Sequence, residues 1–282
     1  MELRLRPGSI FLTPLKKHQH QPMIILIAES KTMSADQRPV NDTQYAAHTP
    51  GGELQAEEIM WNLRQYTEQQ IMDMLGCSAA LARQCRRMIY DFPDKLCGCP
   101  AIEAYTGVVF RHLGLSGWNE GMRSFADKHL RIVSSLYGLL RPSDIIKPYR
   151  LDYSAKAAPG NIPLQTFWRP KCTVDLASLL SPTPEAAILN LLPGEAMKCL
   201  DRKLIKHYGR LITPLFKEYG PGGVLRTPTA GKLKEMRGKL VKEIVTRGIS
   251  DAAGLLRITD HPDFQPVSSP DARDGFIWLC QK

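Results

Sequence analysis

The sequence predicts an α/β protein of the mixed α+β kind, a single compact domain in which helices surround a mixed sheet. Residues 24–28 are continuously apolar, and so are 186–192 except for Asn190, which is typical of strands that are buried on both faces. Segments with helical periodicity alternate with them, and residues 232–247 form the clearest one. No Gly/Ser-rich or charged linker interrupts residues 23–282, and 43% of the chain is hydrophobic, so one core is expected.

The individual elements follow from hydrophobic periodicity, capping residues and turn formers. After a polar loop over 31–52, helices are predicted at 53–63, 68–75, 79–90, 119–129, 173–180 and 232–247. Thr67 and Gln70 form a capping-box pattern at the start of the second helix. Further strands are predicted at 131–137, 256–259 and 276–280, with a β-hairpin around the glycines and proline of 220–223. Residues 91–100 and 155–163 are expected to be loops, and 101–113 a strand followed by a helical turn.

The first 22 residues lack the apolar core and the cleavage site of a signal peptide. They are interpreted as a leader outside the domain, either a native disordered tail or an over-extended gene product that precedes an initiator-like Met23. No apolar run approaches the roughly 20 residues that span a bilayer, so no membrane partner is expected.

The seven cysteines form an odd set without repeated spacing, which indicates neither a disulfide framework nor a zinc ribbon. A reducing, cytoplasmic location is therefore predicted. Cys97-Gly98-Cys99 is a single pair without partners, and His112, His129 and His207 lack metal-site spacing. Neither a metal nor a cofactor is predicted.

The most distinctive block is residues 129–151, HLRIVSSLYGLLRPSDIIKPYRL, where an apolar run ends in a loop rich in proline, tyrosine and arginine. Arg131, Arg141 and Arg150 are expected where this loop leaves the sheet, which is a usual place for a binding surface. Guanidinium groups there predict an anionic partner.

This block resembles the central signature of the YaaA family of peroxide stress proteins. Weaker similarities to the family lie at MIILIAESKTM (residues 23–33), Tyr105-Thr106-Gly107, Phe167-Trp168, Asn190-Leu191 with Glu195 and Lys198, and Met236-Arg237-Gly238. The residues around Glu195 depart from the family pattern, being Leu192, Pro193, Gly194, Ala196 and Met197. The resemblance implies the family's single "cantaloupe" α/β fold, a helix-hairpin-helix motif, a positively charged cleft and binding of duplex DNA during peroxide stress.

Residues 68–90 also suggest a DNA-binding helix-hairpin-helix by their own pattern. Residues 71–82 match hxxhxGhGxxxA, except that Ser78 replaces the second glycine. A turn at Gly76 would leave the first amides of the next helix free to hold a DNA phosphate. The predicted contacts are Gly76, Cys77, Ser78, Ala79, Arg83, Arg86 and Arg87. An ordinary αα-corner is the alternative.

A second predicted site is a cationic cleft assembled from basic residues of the family-like motifs. Its members are Lys31, Arg131, Arg141, Arg150, Lys198 and Arg237. Salt bridges to Asp144, Asp152 and Glu195 are the alternative for each of them. The net charge of +9 also concentrates in residues 201–247, where twelve basic and four acidic residues occur. Such an excess is expected for a nucleic-acid surface or for a solvated lysine-rich helix.

The leading hypothesis is a non-catalytic cytoplasmic protein of the peroxide stress response that binds duplex or distorted DNA mainly through phosphates. The alternative is an enzyme whose cleft binds an anionic small molecule or nucleotide. Glu195 would then be the general base, and Lys31 or Lys198 the activated amine. A P-loop, GxGxxG and GxSxG are absent from the sequence, which argues against the ordinary nucleotide-binding enzymes and hydrolases.

Overall fold

The computed structural model describes residues 23–34, 38–39, 48–93, 97–180, 186–267 and 277–280. The leader predicted at residues 1–22 lies outside these ranges. The strands are β1 (Ile24–Ala28), β2 (Arg38–Pro39), β3 (Cys97–Pro100), β4 (Leu130–Ser134), β5 (Gly138–Leu140), β6 (Ile145–Ile146), β7 (Ala187–Asn190), β8 (Arg210–Ile212), β9 (Leu215–Tyr219), β10 (Leu225–Arg226), β11 (Phe264–Val267) and β12 (Ile277–Cys280). The helices are α1 (Glu53–Leu63), α2 (Glu68–Leu75), α3 (Ala79–Asp91), α4 (Ala101–Ala104), α5 (Val108–Arg111), α6 (Glu120–His129), α7 (Leu164–Ser178), α8 (Gly194–Met197), α9 (Arg202–Ile205), α10 (Ala230–Arg247) and α11 (Ala252–Leu255).

The predicted α/β class is confirmed by a mixed five-stranded sheet in the order β5-β4-β1-β7-β8. Strands β4, β1, β7 and β8 are parallel, and only β5 runs antiparallel to its neighbour β4. The middle of β1 is aligned with both neighbours, since Leu26 lies opposite Arg131 and Asn190. The carboxyl ends of the four parallel strands therefore meet at one edge of the sheet.

Both faces of this sheet are covered, because all five residues of β4 and all four of β7 are buried. Helix α7 packs on β5, where the Trp168 indole donates a hydrogen bond of 2.8 Å to the Ser135 carbonyl. Helix α6 contacts β4, and α10 contacts both α5 and α6. The apolar periodicity found in the sequence thus places the core around β1, β4 and β7.

Two smaller sheets flank the central one. Strands β10, β9, β12 and β11 form a four-stranded sheet, and β2, β3 and β6 a three-stranded one. The hairpin predicted around residues 220–223 is confirmed, because β9 and β10 pair antiparallel with Tyr219 opposite Leu225. None of the helices in the described ranges is long and apolar enough to span a membrane.

The predictions for α1 and α2 match the structure residue by residue, and Thr67 and Gln70 form the expected capping box. Five predictions were wrong, the first being the polar loop over 31–52, because it contains β2 (Arg38–Pro39). Helix α7 begins at Leu164 rather than 173 and contains Pro170, since burial of Trp168 and Cys172 outweighs the proline. Residues 97–100 form a strand because they pair with β6, and 101–104 are helical rather than extended. The strand predicted at 256–259 is absent from this described segment, and β11 begins at Phe264 instead.

Candidate functional site

A pocket of about 480 Å³ opens at the carboxyl ends of the parallel strands. Its walls are the segments that follow β1 and β7, the loop around Asp152, the start of α5 and one face of α10. Ligands of open α/β sheets usually bind at this edge, and a pocket of this volume suits a small molecule. Helix α5 lies so close to the loop after β1 that a Cβ at Gly107 would clash with the Ser30 hydroxyl.

Glu29, which follows β1 directly, lies at the pocket wall and belongs to a hydrogen-bonded network beneath it. Its Oε2 accepts hydrogen bonds from the Ser135 amide, at 2.9 Å, and from the Tyr149 hydroxyl. The Tyr149 oxygen also lies 2.6 Å from both the Tyr105 hydroxyl and the Ser134 Oγ. We call this group the tyrosine network; it consists of Glu29, Tyr105, Ser134 and Tyr149.

The surrounding amides determine the direction of these hydrogen bonds. The Ser134 Oγ accepts from the amides of Leu136 and Tyr137, at 3.1 and 3.0 Å, so its own proton points to Tyr149. The Tyr149 proton is donated to Glu29, so the Tyr149 oxygen accepts from both Ser134 and Tyr105. All three hydroxyl protons in the network therefore point toward the carboxylate.

Burial raises the pKa of Glu29 from 4.5 to about 7, although hydrogen bonds from Ser135 and Tyr149 oppose the shift. Burial also raises the pKa values of Tyr105, Tyr149 and Tyr153 well above 10. Glu29 is thus the member of the tyrosine network that changes charge near neutral pH. A carboxyl group with this pKa suits proton transfer at neutral pH.

Cationic side chains also line the pocket. The Lys31 ammonium lies 2.5 Å from the Asp152 carboxylate. Asp152 is one of the three acidic residues that the sequence offered as salt-bridge partners for the predicted cations. Lys234 and Arg237 come from adjacent turns of α10. Arg237 is half-buried and makes no ion pair or hydrogen bond within the described part of the chain, and burial lowers its pKa.

The six cations predicted to form one cleft lie in different parts of the structure. Lys31 and Arg237 line the pocket together with Glu195, whereas Lys198 is exposed at the end of α8, outside the lining. The Arg150 guanidinium donates a hydrogen bond of 3.0 Å to the Lys31 carbonyl. Arg150 is thus adjacent to the pocket mouth without lining the pocket.

Arg131 and Arg141 lie toward the amino end of β4, at the opposite edge of the sheet. Arg131 is only 6% exposed, and its Nη1 donates to the carbonyls of Asp127 and Leu130 at 2.8 and 2.7 Å. Arg141 follows β5, which runs back antiparallel to β4, and its amide donates to Asp144 at 2.8 Å. Burial raises the pKa of Asp144 to about 7. Arg131 is thus separated from the pocket by its place near the amino end of β4, and Arg141 by the reversal of β5.

Residues 68–91 form a helical hairpin, consisting of α2, a tight turn and α3. Gly76 ends α2 in the left-handed conformation, with φ 57° and ψ 43°. Ser78 has an extended backbone and caps α3, its Oγ accepting from the Leu81 amide at 3.4 Å. An extended residue requires no glycine, so Ser78 is compatible with this turn. The amides of Ala79 and Ala80 have no carbonyl four residues earlier in the helix.

The predicted arginines lie on α3 away from its buried face, which contains Ala82, Cys85 and Ile89. Arg83 forms an exposed ion pair with Glu68, at 3.1 Å. Arg86 contacts the Tyr90 ring and hydroxyl. Arg87 is exposed and forms no ion pair with any residue that the structure describes. The helical hairpin therefore presents at least one available guanidinium.

Sequence reasoning did not identify Glu29, Tyr105, Ser134 and Tyr149 as site residues. A usable signal was present, since Glu29 and Ser134 stand at the carboxyl ends of apolar strand segments. His129 is buried, and its Nδ1 lies 3.1 Å from the Met23 carbonyl. Among the described residues, no cluster of three His, Cys, Asp or Glu is placed to hold a metal ion.

The sequence profile of a family described as "Peroxide stress protein YaaA" matches residues 23–266. The chain is 31% identical over 260 residues to a UPF0246 protein of Parabacteroides distasonis, covering 91% of this chain and 99% of the relative. A UPF0246 protein of Porphyromonas gingivalis is 32% identical over 259 residues, covering 91% and 94%. A third, of Lactiplantibacillus plantarum, is 29% identical over 264 residues, covering 92% and 100%. The similarity thus extends over nearly the whole length of these relatives.

Proposed function

Because the chain belongs to the peroxide stress protein YaaA family, we propose that it acts in the peroxide response by binding DNA without sequence specificity. The helical hairpin is the proposed contact, as a helix-hairpin-helix motif, with phosphate oxygens as its ligands. The observation that carries this proposal is the left-handed turn at Gly76, followed directly by an exposed helix start.

The turn supports phosphate binding for two reasons. The first amides of α3 lack acceptors within the helix, and the positive end of the helix dipole lies at the same place. The side chain of Ser78 satisfies only the Leu81 amide, which leaves the amides of Ala79 and Ala80 for a ligand. Such contacts hold the DNA backbone and do not read bases.

Charge supports the same surface. Arg87 is available for a phosphate, and Arg83 is only weakly held because exposed ion pairs contribute little. The pocket, by contrast, has a volume of only about 480 Å³. It is too small for a DNA duplex, whose major groove by itself is about 12 Å wide. We therefore assign the DNA contact to the helical hairpin and not to the pocket.

The direct test is Gly76→Asp, with Gly76→Asn as the matched control. Both side chains tolerate the left-handed conformation, and no atom lies within 4 Å of a Cβ at this position. The aspartate adds a negative charge where a phosphate would bind, so its duplex affinity should fall at least about tenfold, roughly 1.4 kcal/mol. The asparagine variant should keep most of the affinity. Fluorescence anisotropy at several salt concentrations measures both, with circular dichroism to confirm folding.

Salt dependence gives an independent readout. Each lost phosphate contact should lower the slope of log K against log salt by about 0.9, so Arg87→Gln should show that decrease. Ser78→Gly should bind at least as well as wild type, although loss of the cap costs a few tenths of a kcal/mol. If folded Gly76→Asp binds duplex with the wild-type affinity and slope, the helical hairpin is only an αα-corner.

A further inference from the structure

We propose that the pocket is a second site, which binds a small molecule carrying a carboxylate or phosphate group. In this site Arg237 holds the anionic group and Glu29 exchanges a proton with the bound molecule. This inference does not depend on DNA binding by the helical hairpin, because the two sites use different elements.

The guanidinium of Arg237, which has no partner among the described residues, indicates an anionic ligand. A half-buried cation without a partner is unfavourable, since it has lost part of its hydration and gained no ion pair. An oxyanion in the pocket would supply that partner with charge-assisted hydrogen bonds. Lys234, on the same face of α10, and Lys31, across the pocket, add positive charge around it.

The tyrosine network indicates that the site does more than bind. Glu29 is half-buried and accepts from one neutral hydroxyl and one amide, without an ion-pair partner among the described residues, so little offsets the loss of solvation of its ionised form. Its protonated and ionised forms are therefore close in energy. The Tyr149 hydroxyl and the Ser135 amide hold its Oε2, and Tyr105 and Ser134 hold Tyr149 in turn, so that the carboxyl group has a defined orientation at the pocket wall.

No other group near Glu29 competes for this role. Tyr105, Tyr149, Tyr153 and Cys199 surround it, and burial raises the pKa of each of them. The other charged groups of the pocket lining are Lys31, Arg111, Asp152, Glu195, Lys234 and Arg237, and the lining contains no histidine. The general base suggested by the sequence, Glu195, is exposed at the pocket rim.

The proposed step is a proton transfer. An X–H bond of the bound molecule breaks, its electron pair stays on X, and the proton forms an O–H bond with the Glu29 carboxylate. The negative charge that develops on the molecule lies in a pocket lined by Arg237, Lys234 and Lys31. Return of the proton from the neutral carboxylic acid to another atom of the molecule restores Glu29, so no oxidant or further reactant is required.

The binding test uses three probes, namely sulfate, adenosine monophosphate and oxalate, with isothermal titration calorimetry on the full chain. The nucleotide and oxalate distinguish a phosphate ligand from a carboxylate ligand. We expect at least one of them to bind, and Arg237→Gln to weaken that binding at least about tenfold, as expected for a charge-assisted pair. Arg202→Gln, an exposed arginine on α9, is the matched control and should bind as wild type does.

Two results would overturn the binding site. One is the absence of binding for all three probes at concentrations up to about 10 mM, because a Kd above that value corresponds to very weak binding. The other is equal binding by wild type and Arg237→Gln. If Arg237→Gln does not fold, Lys234→Gln on the same face of α10 replaces it, with a smaller loss expected because this lysine is exposed.

Proton exchange has its own readout, which needs no identified substrate. Titration of the binding probe near pH 7 in buffers of different ionisation enthalpy measures proton uptake. An anion beside Glu29 should raise its pKa, so wild type should take up as much as about half a proton. Glu29→Gln should take up none, while still binding the probe. Equal uptake by the two proteins, or none by wild type, would show that Glu29 does not face the ligand.

Discussion

Glu29 is the residue whose environment is least explained by stability alone. Its carboxyl group is half-buried beside the Tyr149 hydroxyl and the Ser135 amide, and its pKa is raised to about 7 by loss of solvation. The folded protein therefore binds a proton at Glu29 between about pH 4.5 and 7, where the unfolded chain has lost it. Stability must fall as pH rises through this window, because the folded state binds more protons there.

We predict that Glu29→Gln, which imitates the protonated form, removes this dependence. At about pH 5 the variant and wild type should have similar free energies of unfolding. At about pH 8 the variant should be more stable by roughly 3 kcal/mol, because each unit of the pKa shift from 4.5 to about 7 corresponds to about 1.4 kcal/mol. Urea denaturation at both pH values measures the difference.

Glu195→Gln is the control for this comparison, because it neutralises an exposed carboxylate of the same pocket. Its stability should follow that of wild type across the same pH range. Asp144, whose pKa is also raised to about 7, is present in all three proteins. Its contribution to the pH dependence of stability is therefore the same in each and does not affect the differences between them. A constant difference between Glu29→Gln and wild type at both pH values would contradict the assignment.

At the scale of elements, the spacing of α10 and α5 determines the width of the pocket. Helix α5 contributes Val108 and Arg111 to the wall, and α10 contributes Arg237 from the facing side. The next residue, Gly238, lies against α5 so closely that a Cβ would clash with the Val109 carbonyl. The glycine after Arg237 thus allows the guanidinium to approach the opposite wall.

Gly238→Ala should therefore destabilise the protein by about 1–3 kcal/mol or more, since the methyl group must push the two helices apart. Gly231→Ala in the same helix is the control, because no atom lies within 4 Å of its Cβ position. That change should be neutral or stabilise by up to about 1 kcal/mol. Chemical denaturation of the two variants provides the comparison, and equal stabilities would show that α10 and α5 are not in close contact.

For the molecule as a whole, the two edges of the sheet serve different purposes. The carboxyl edge holds the pocket, whereas Arg131, Arg141, Asp127 and Asp144 lie together toward the amino end of β4. Burial lowers the pKa of Arg131, and nearby Arg141 lowers it further, while Asp127 and Asp144 oppose the shift. Arg131 and Asp144 are buried in this group, whereas Arg141 is exposed, and Arg131 donates its hydrogen bonds to backbone carbonyls.

We predict opposite outcomes for the arginines of the two edges. Arg131→Gln should destabilise the fold by about 1–3 kcal/mol, since it removes the buried donor to the carbonyls of Asp127 and Leu130, and leave oxyanion affinity per folded molecule unchanged. Arg237→Gln should leave stability equal or higher, because it removes a half-buried cation without a partner. Thermal unfolding and probe titration measure both quantities. A stable Arg131→Gln with reduced oxyanion affinity would place this arginine in the pocket after all.

Much of the local structure could be predicted from the sequence. Apolar runs located β1 and β7, and periodicity with capping residues located α1, α2 and α10, because these signals act between residues close in the chain. The family was also recognisable from the block at 129–151. The predictions that were wrong concern segments such as 97–100, which become strands only by pairing with distant residues.

The sequence by itself determined the α/β class, the buried strands, the capped helices of the helical hairpin and the basic residues available for an anionic ligand. Only the tertiary structure decided which of these residues meet. An arginine in or beside a strand carries no local signal of the sheet edge to which it points, because that depends on strand order and direction. The antiparallel return of β5 placed Arg141 away from the pocket, whereas the parallel pairing of β1 with β4 and β7 brought Glu29 to it.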